Sequence, residues 1–490
     1  MPADPAPLTT DLYLDGEPRP TDDVLTVADP AYADRIVGHA AAATPEDVHD
    51  AVTAARAAFP DWASRPVTER AAALSAAVAM SDADHRADAE LLTRENGKVL
   101  AESMRDVSML ARRTGQVTSL ADRVDDREVL DPEAGFPTRT EIGWQPLGVV
   151  TIIVPFNWPV GILSTALPHA LLAGNTVIVK PPPSAPLATT RIVQRMATGL
   201  PPGVLNVITG PDAAMTGLVR NPDIAKICFT GSTAGGRKIM ELASGSLTRV
   251  TLELGGNDPA LVLADAELTP ERLDRMFAAI YTSTGQVCMN IKRLFVHRSR
   301  YAEVVGALTE RLQRVRLGHG LDPQTTMGPL HTTRQRDFTA SLIAQAQQSG
   351  AEVHQFGELP GGDQAGGNFL RPALVLDPDP ALDVVTEEPF GPVVPVLPFD
   401  DAEAALAQAN AGWAGLGASV WTADRNQALA YARRLVCGYV WLNDHGSPRL
   451  DLRAPFGGMK QSGIGREQGI AGIRSFQDTR AIAELIEDGS

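Results

Sequence analysis

From Gly148 onward the chain alternates short runs rich in valine and isoleucine with stretches long enough for a helix, and this rhythm limits the fold more than any other feature. The runs are GVVTIIVP, NTVIVKP (ended by three prolines), VLNVITG and IAKICFTG. Each is too short for a helix and reads as a buried strand. Strands alternating with helices form a parallel sheet, which makes this an α/β protein. VTLELGG, near residue 250, opens a second series: PALVL, RLFVH, a second PALVL at 372–376, and VVPVLPF. A boundary between two parallel-sheet α/β units is therefore expected near Gly255.

The flanks read differently. Val48, Val52, Ala55 and Phe59 recur at helical spacing and predict a helix over 44–59. Two more are predicted over 66–80 and 86–108, with the Asn96-Gly97 turn inside or between pieces of the latter. Around 124–140 the pattern turns to charged residues with Pro and Gly, then to alternation, which predicts a hairpin arm. The most apolar stretch, Val149 to Val179, is interrupted by Asn157, Pro159, Pro168, His169 and Asn175, so it reads as buried core rather than a membrane span.

Composition removes several function classes. Lys and Arg number 43 against 59 Asp and Glu, a net charge of −16, whereas nucleic acids and anionic membranes select basic faces. Three cysteines, Cys228, Cys288 and Cys437, are too few and too scattered for a disulfide framework or a zinc cage, so no metal is expected. The opening residues lack the basic and apolar regions of a secretory signal, and a reducing cytoplasm is expected.

Four features carry chemistry. Gly231-Ser232-Thr233 follows a strand and Gly236 opens a helix, a turn that presents backbone N–H groups to phosphate. The GxGxxG fingerprint is not met, because Thr233 stands at its second glycine, and taken alone the loop reads first as a plain strand-to-helix turn. Cys288, in GQVCMN, is a nucleophile if its thiolate is populated and otherwise a core cysteine. Glu253 sits at an apolar strand end, where burial makes a carboxylate a candidate base; an edge glutamate paired to a cation is the alternative. The Asn157 amide is a candidate oxyanion donor or a turn cap.

Taken in order, Asn157, Lys180, the 231–236 loop, Glu253, Cys288, Glu387-Glu388-Pro389-Phe390-Gly391-Pro392 and Pro455-Phe456-Gly457-Gly458 resemble the aldehyde dehydrogenase superfamily, over about Pro30 to Gln477. The ELGG and GQxC motifs are specific, and 35 positions separate Glu253 from Cys288. The resemblance implies a dinucleotide-binding domain from residues 1–123 and 143–254, a catalytic domain over 255–470, and a small β oligomerisation arm from 124–142 and 471–490. It implies that Cys288 attacks the aldehyde carbon, that Asn157 holds the oxyanion, and that Glu253 activates the water that hydrolyses a thioester. Cys288 should then be more reactive than Cys228 and Cys437, in a polarised and accessible pocket.

By the same resemblance Lys180, Gly231, Ser232, Gly236, Leu254, Glu388 and Phe390 would contact the cofactor, while Trp158, Thr165 and Met289 would line a substrate tunnel. Members of this kind are dimers or tetramers. NAD-preferring members often carry Glu three residues after the lysine; here Pro183 stands there, so NAD and NADP are both expected to serve, with a slight lean to NAD. Where succinate-semialdehyde members often carry Arg, eight residues after the asparagine, this chain has Thr165. Betaine-aldehyde members often have Trp at that position, so the tunnel is expected to be neutral and to favour uncharged medium-chain or aromatic aldehydes over succinate semialdehyde and betaine aldehyde, unless a cation such as Arg449 reaches it. The presence of Glu253 favours water over CoA as the acyl acceptor, and the joint presence of Asn157, Glu253 and Cys288 disfavours a non-catalytic binding protein.

Overall fold

A computed structural model describes residues 6–133, 135–212 and 215–486. The expectations that rest on residues 1–5, 134 and 487–490 fall outside these.

Strands Arg249–Glu253, Ile224–Thr230, Val149–Ile153, Thr176–Lys180 and Leu205–Val207 lie side by side and parallel, in that order. Their central members are buried throughout, as expected of a sheet covered on both faces by helices. VTLELGG joins this first sheet as its last parallel strand, with Thr230 paired to Glu253, and does not begin the second. Strands Leu12–Leu14 and Glu17–Arg19 extend one edge antiparallel. The other edge is closed from far along the chain by Gly463–Ile464, which pairs with Leu252 and Glu253.

Local signals explain the helices. Thr44 and Asp47 form a reciprocal capping box at the start of Pro45–Ser64. The expected 86–108 helix is two, His85–Asn96 and Leu100–Thr118, because Gly97 takes a left-handed φ of +97° and ends the first. The apolar segment after Asn157 forms the helix Pro159–Leu172, which is buried almost entirely.

The second sheet runs Glu352–Gln355, Ala373–Leu376, Val393–Phe399, Ile291–His297, Asp258–Val262, Gly417–Trp421 and Tyr439–Leu442, parallel except for its first strand. A third sheet of three strands joins Glu128–Leu130 and Thr138–Pro146 to the C-terminal strand Gln477–Leu485. This ladder spans one of the expected arm limits. Its register runs unbroken from Leu485 opposite Thr138 to Gln477 opposite Pro146, so 142/143 falls inside a strand. The 470/471 limit falls inside the helix Gly469–Arg474, where Gly472 packs against His169 of the first unit. No helix among the described residues is long and apolar enough to cross a membrane.

Candidate active site

The nucleophile candidate stands just before strand Ile291–His297 on a strained loop. Ser283 and Thr284 have φ of +52° and +55°, and Gly285 follows at +75°. Left-handed conformations at two non-glycine residues cost of order 1–3 kcal/mol each and persist only where neighbours impose them. The neighbours are identifiable: Lys292 Nζ donates to the carbonyls of Gly285 (2.6 Å) and Pro389 (3.2 Å), and the Asn290 amide donates to Ile280 O (3.0 Å). Gly285 lies against the carbonyl of Gly391 with no room for a β-carbon.

Cys288 opens onto a cavity whose walls also include Asn157, Trp158, Thr165, Glu253 and Met289. The three catalytic candidates and the three tunnel candidates are therefore brought together. Asn157 Nδ2 donates to Gln286 O at 2.8 Å, which aims the amide at the loop that carries Cys288. Burial pushes the Cys288 thiol up, and Glu388, Asp258 and Glu253 push the same way against Lys292. Cys228 and Cys437 are both raised to about 12 by burial. What sets Cys288 apart is access: it is half-buried, and the other two are buried.

The segment carrying Asn157 is clamped from the helix Leu100–Thr118. Asp106 accepts from the Gly161 N–H (2.5 Å) and from Lys98 Nζ (2.5 Å), and Lys98 also donates to Asn157 O (2.9 Å) and lies 4.6 Å from the Trp158 ring centroid. Lys98 and Asp106 are 1% and 0% exposed, so neither charge has water to fall back on. Lys98→Met leaves a buried carboxylate unpaired and is expected to cost about 3–5 kcal/mol of stability. Urea unfolding checks this, and adding Asp106→Asn should restore much of the loss.

Glu253 ends the strand Arg249–Glu253, and neither carboxylate oxygen has a hydrogen-bond partner. Burial holds its carboxyl well above the usual range, the like charge of Glu467 adds to this, and Arg466 opposes it. A carboxylate held above its usual range takes a proton more readily than an exposed one, as a general base must.

Two charged groups on the cavity wall were not anticipated. Arg113 and Glu467 both line it, whereas Arg449 is turned to Asp444 at 3.5 Å and does not. Arg113 Nη1 donates to Gly161 O (2.5 Å) and Ser164 Oγ (3.2 Å), and burial lowers the guanidinium to about 10 against the pull of Glu467 and Asp106. Glu467 is itself raised by burial. Glu467 offered a weak signal, a lone acid inside the Gly-rich run GGMKQSGIGREQG; Arg113 offered none, sitting on a helix among other charged residues.

The cofactor candidates gather at the carboxyl ends of the first sheet's strands, where open parallel sheets bind ligands. Ser232 caps the helix Thr233–Ala243, its Oγ accepting from Gly235 N (3.1 Å), while Gly231 N donates to Glu253 O (3.0 Å). Gly236 meets Leu254 so closely that a β-carbon would overlap the leucine side chain. Lys180 ends its strand and donates to Asp212 at 2.6 Å. Glu388 lies against Gly255 with Oε1 buried and unpartnered, its carboxyl raised by burial and eased by Lys292. Phe390 packs edge-on to Phe156 at 6.1 Å and under Lys292 at 5.3 Å. The helix start at Ser232 and the buried Glu388 carboxylate, whose Oε1 has no partner, fit the phosphates and a ribose of a dinucleotide. Among the described residues no cluster of side chains could hold a metal ion.

Comparison with known proteins gives the same assignment. The profile of the aldehyde dehydrogenase family matches residues 18–482. The chain is 34% identical over 480 residues to betaine aldehyde dehydrogenase 1 of Rhizobium meliloti, covering 96% of each protein. It is 35% identical over 476 residues to phenylacetaldehyde dehydrogenase of Pseudomonas fluorescens, covering 94% of this chain and 93% of that protein. The crystal structure of betaine aldehyde dehydrogenase from Staphylococcus aureus in complex with NAD+ superposes with a TM-score of 0.92 at 31% identity, over 99% of this chain and 96% of that one. The chain belongs to the aldehyde dehydrogenase family.

Proposed function

We propose that this aldehyde dehydrogenase converts an uncharged medium-chain or aromatic aldehyde to the carboxylic acid with NAD, through a thioester on Cys288 that water hydrolyses. The observation that carries the reading is the convergence of Cys288, Asn157 and Glu253 on one cavity whose walls are otherwise mainly apolar, with Met109, Ile162, Val287 and Leu450 among them. Cys288 Sγ attacks the aldehyde carbon as its proton passes to solvent water. The Asn157 amide keeps one N–H beyond the bond to Gln286 O, and with the Cys288 N–H it stabilises the oxyanion. NAD, when bound, accepts the hydride that converts the thiohemiacetal to a thioester. Glu253 then takes a proton from water as the water attacks the thioester carbon, and the acid leaves with the thiol restored.

Support for NAD comes from the residues at the strand ends and from the NAD+ held by the similar Staphylococcus aureus enzyme. The three-stranded arm presents Val129, Leu130, Phe136, Ile482 and Leu485 to solvent, an apolar surface suited to a second copy of the chain. We read the working form as a homo-oligomer. Its cysteines are all unpaired, as suits the reducing cytoplasm.

Substrate preference turns on the charges in the tunnel. Arg113 faces Glu467, and the apolar wall then dominates, which favours hexanal or benzaldehyde. A second reading rests on Arg113 alone, as a cation for the carboxylate of a short semialdehyde. Comparing kcat/KM for hexanal, benzaldehyde and succinate semialdehyde decides it. The uncharged aldehydes are expected to win by at least about tenfold, or ~1.4 kcal/mol. A tenfold advantage for the semialdehyde that disappears in Arg113→Met would establish the second reading.

A further inference from the structure

Pro183 removes the acidic group expected three residues after Lys180, but the fold returns one from elsewhere. Strands Thr176–Lys180 and Leu205–Val207 are parallel neighbours with Val179 opposite Val207, so the loops leaving their carboxyl ends emerge side by side. From the second loop Asp212 reaches Lys180, its Oδ1 accepting from Nζ at 2.6 Å. The pair is lopsided: the Lys180 side chain is 4% exposed and that of Asp212 is 83% exposed. The lysine is sunk in the strand end, and the carboxylate stands over it on the solvent side, on the face where the free helix N-terminus at Ser232 opens.

We infer that Asp212 is the group that reads the adenosine ribose and sets a preference for NAD over NADP. This rests on the dinucleotide reading given above. A ribose diol offers two O–H donors, and a carboxylate accepts both at once. A 2′-phosphate at the same place is repelled, and the cation that could receive it, Lys180, is already neutralised by Asp212. Discrimination between the cofactors is then substantial, not the modest one that Pro183 alone suggests. An exposed aspartate is also a mild site to change, so substitution there reports on recognition and leaves the fold intact.

The test is direct titration of the purified enzyme, without aldehyde, with four probes: NAD, NADP, 5′-ADP and 2′,5′-ADP, followed by tryptophan fluorescence or calorimetry. Wild type is expected to bind NAD about a hundredfold more tightly than NADP, and 5′-ADP more tightly than 2′,5′-ADP by a similar factor. Asp212→Asn and Asp212→Ala should narrow both ratios to about tenfold or less, mainly by strengthening the 2′-phosphorylated probes as Lys180 is released. Ratios unchanged in both variants, or NAD and NADP weakened equally, would overturn the role of Asp212. Failure of wild type to bind any of the four would overturn the dinucleotide reading itself, and this inference with it.

Discussion

Cys288→Ala is expected to lower aldehyde oxidation by at least about 10³-fold in kcat/KM, or ~4 kcal/mol of barrier. No other thiol can take over. Cys228 lies within the first sheet and Cys437 lies beyond the reach of the cavity, and each is buried with its thiol pushed up to about 12. Alanine fills less space than cysteine at a half-buried position, so the fold is preserved. NAD binding should persist, because Ser232 and Lys180 belong to strands and helices that Cys288 does not support. Reduced-cofactor absorbance under saturating aldehyde gives the answer, together with an NAD titration. Residual activity above a few per cent would assign the attack to another group.

Glu253→Gln separates the two halves of the reaction. The substitution keeps the shape of the strand end and removes the proton acceptor. Acylation needs Cys288 and Asn157 and should survive, giving a burst of reduced cofactor near one per active site, after which turnover slows by about 10²-fold or more. Stopped-flow absorbance shows the burst, and unchanged steady-state turnover would mean that a different group activates the water. The pH profile carries the same information with a definite sign. Burial and Glu467 hold the Glu253 carboxyl above the usual range, and only the ionised form accepts a proton. Hydrolysis in the wild type should therefore rise as pH climbs through that raised value and fall on acidification. In Glu253→Gln this rise should vanish.

The parts of this site visible in the sequence are those whose neighbours lie close in the chain. The strand runs, the Asn96-Gly97 break and the GQVC and ELGG motifs are local, although the strand that carries ELGG closes the first sheet instead of opening the second. What escaped depends on distant pairing. Nothing near Arg113 says that its helix packs on Pro159–Leu172 and turns the guanidinium toward Gly161 O. Nothing near Asp212 says that its strand neighbours Lys180. The full extent of the strand Thr138–Pro146 could not be read locally, because its register is dictated by a strand more than three hundred residues later. The charges around Cys288 were hidden for a related reason: Glu388, Asp258 and Lys292 reach it from other elements, and their balance is a sum over space.

The edge of the first sheet at Glu253 is completed only by Gly463–Ile464, and the cavity wall by Phe456 and Glu467. Synthesis proceeds from the other end. A nascent chain that has already placed Lys180, Ser232, Glu253 and even Cys288 still has an open strand edge beside the base, and no far wall to exclude water. The first unit's own core also waits for Ile473 and Phe476. A ribosome stalled before these residues emerge would thus hold Cys288 and Glu253 in an unfinished site that is catalytically silent. The reactive thiol is delivered early but switched into service last, when the chain's end folds back over its middle.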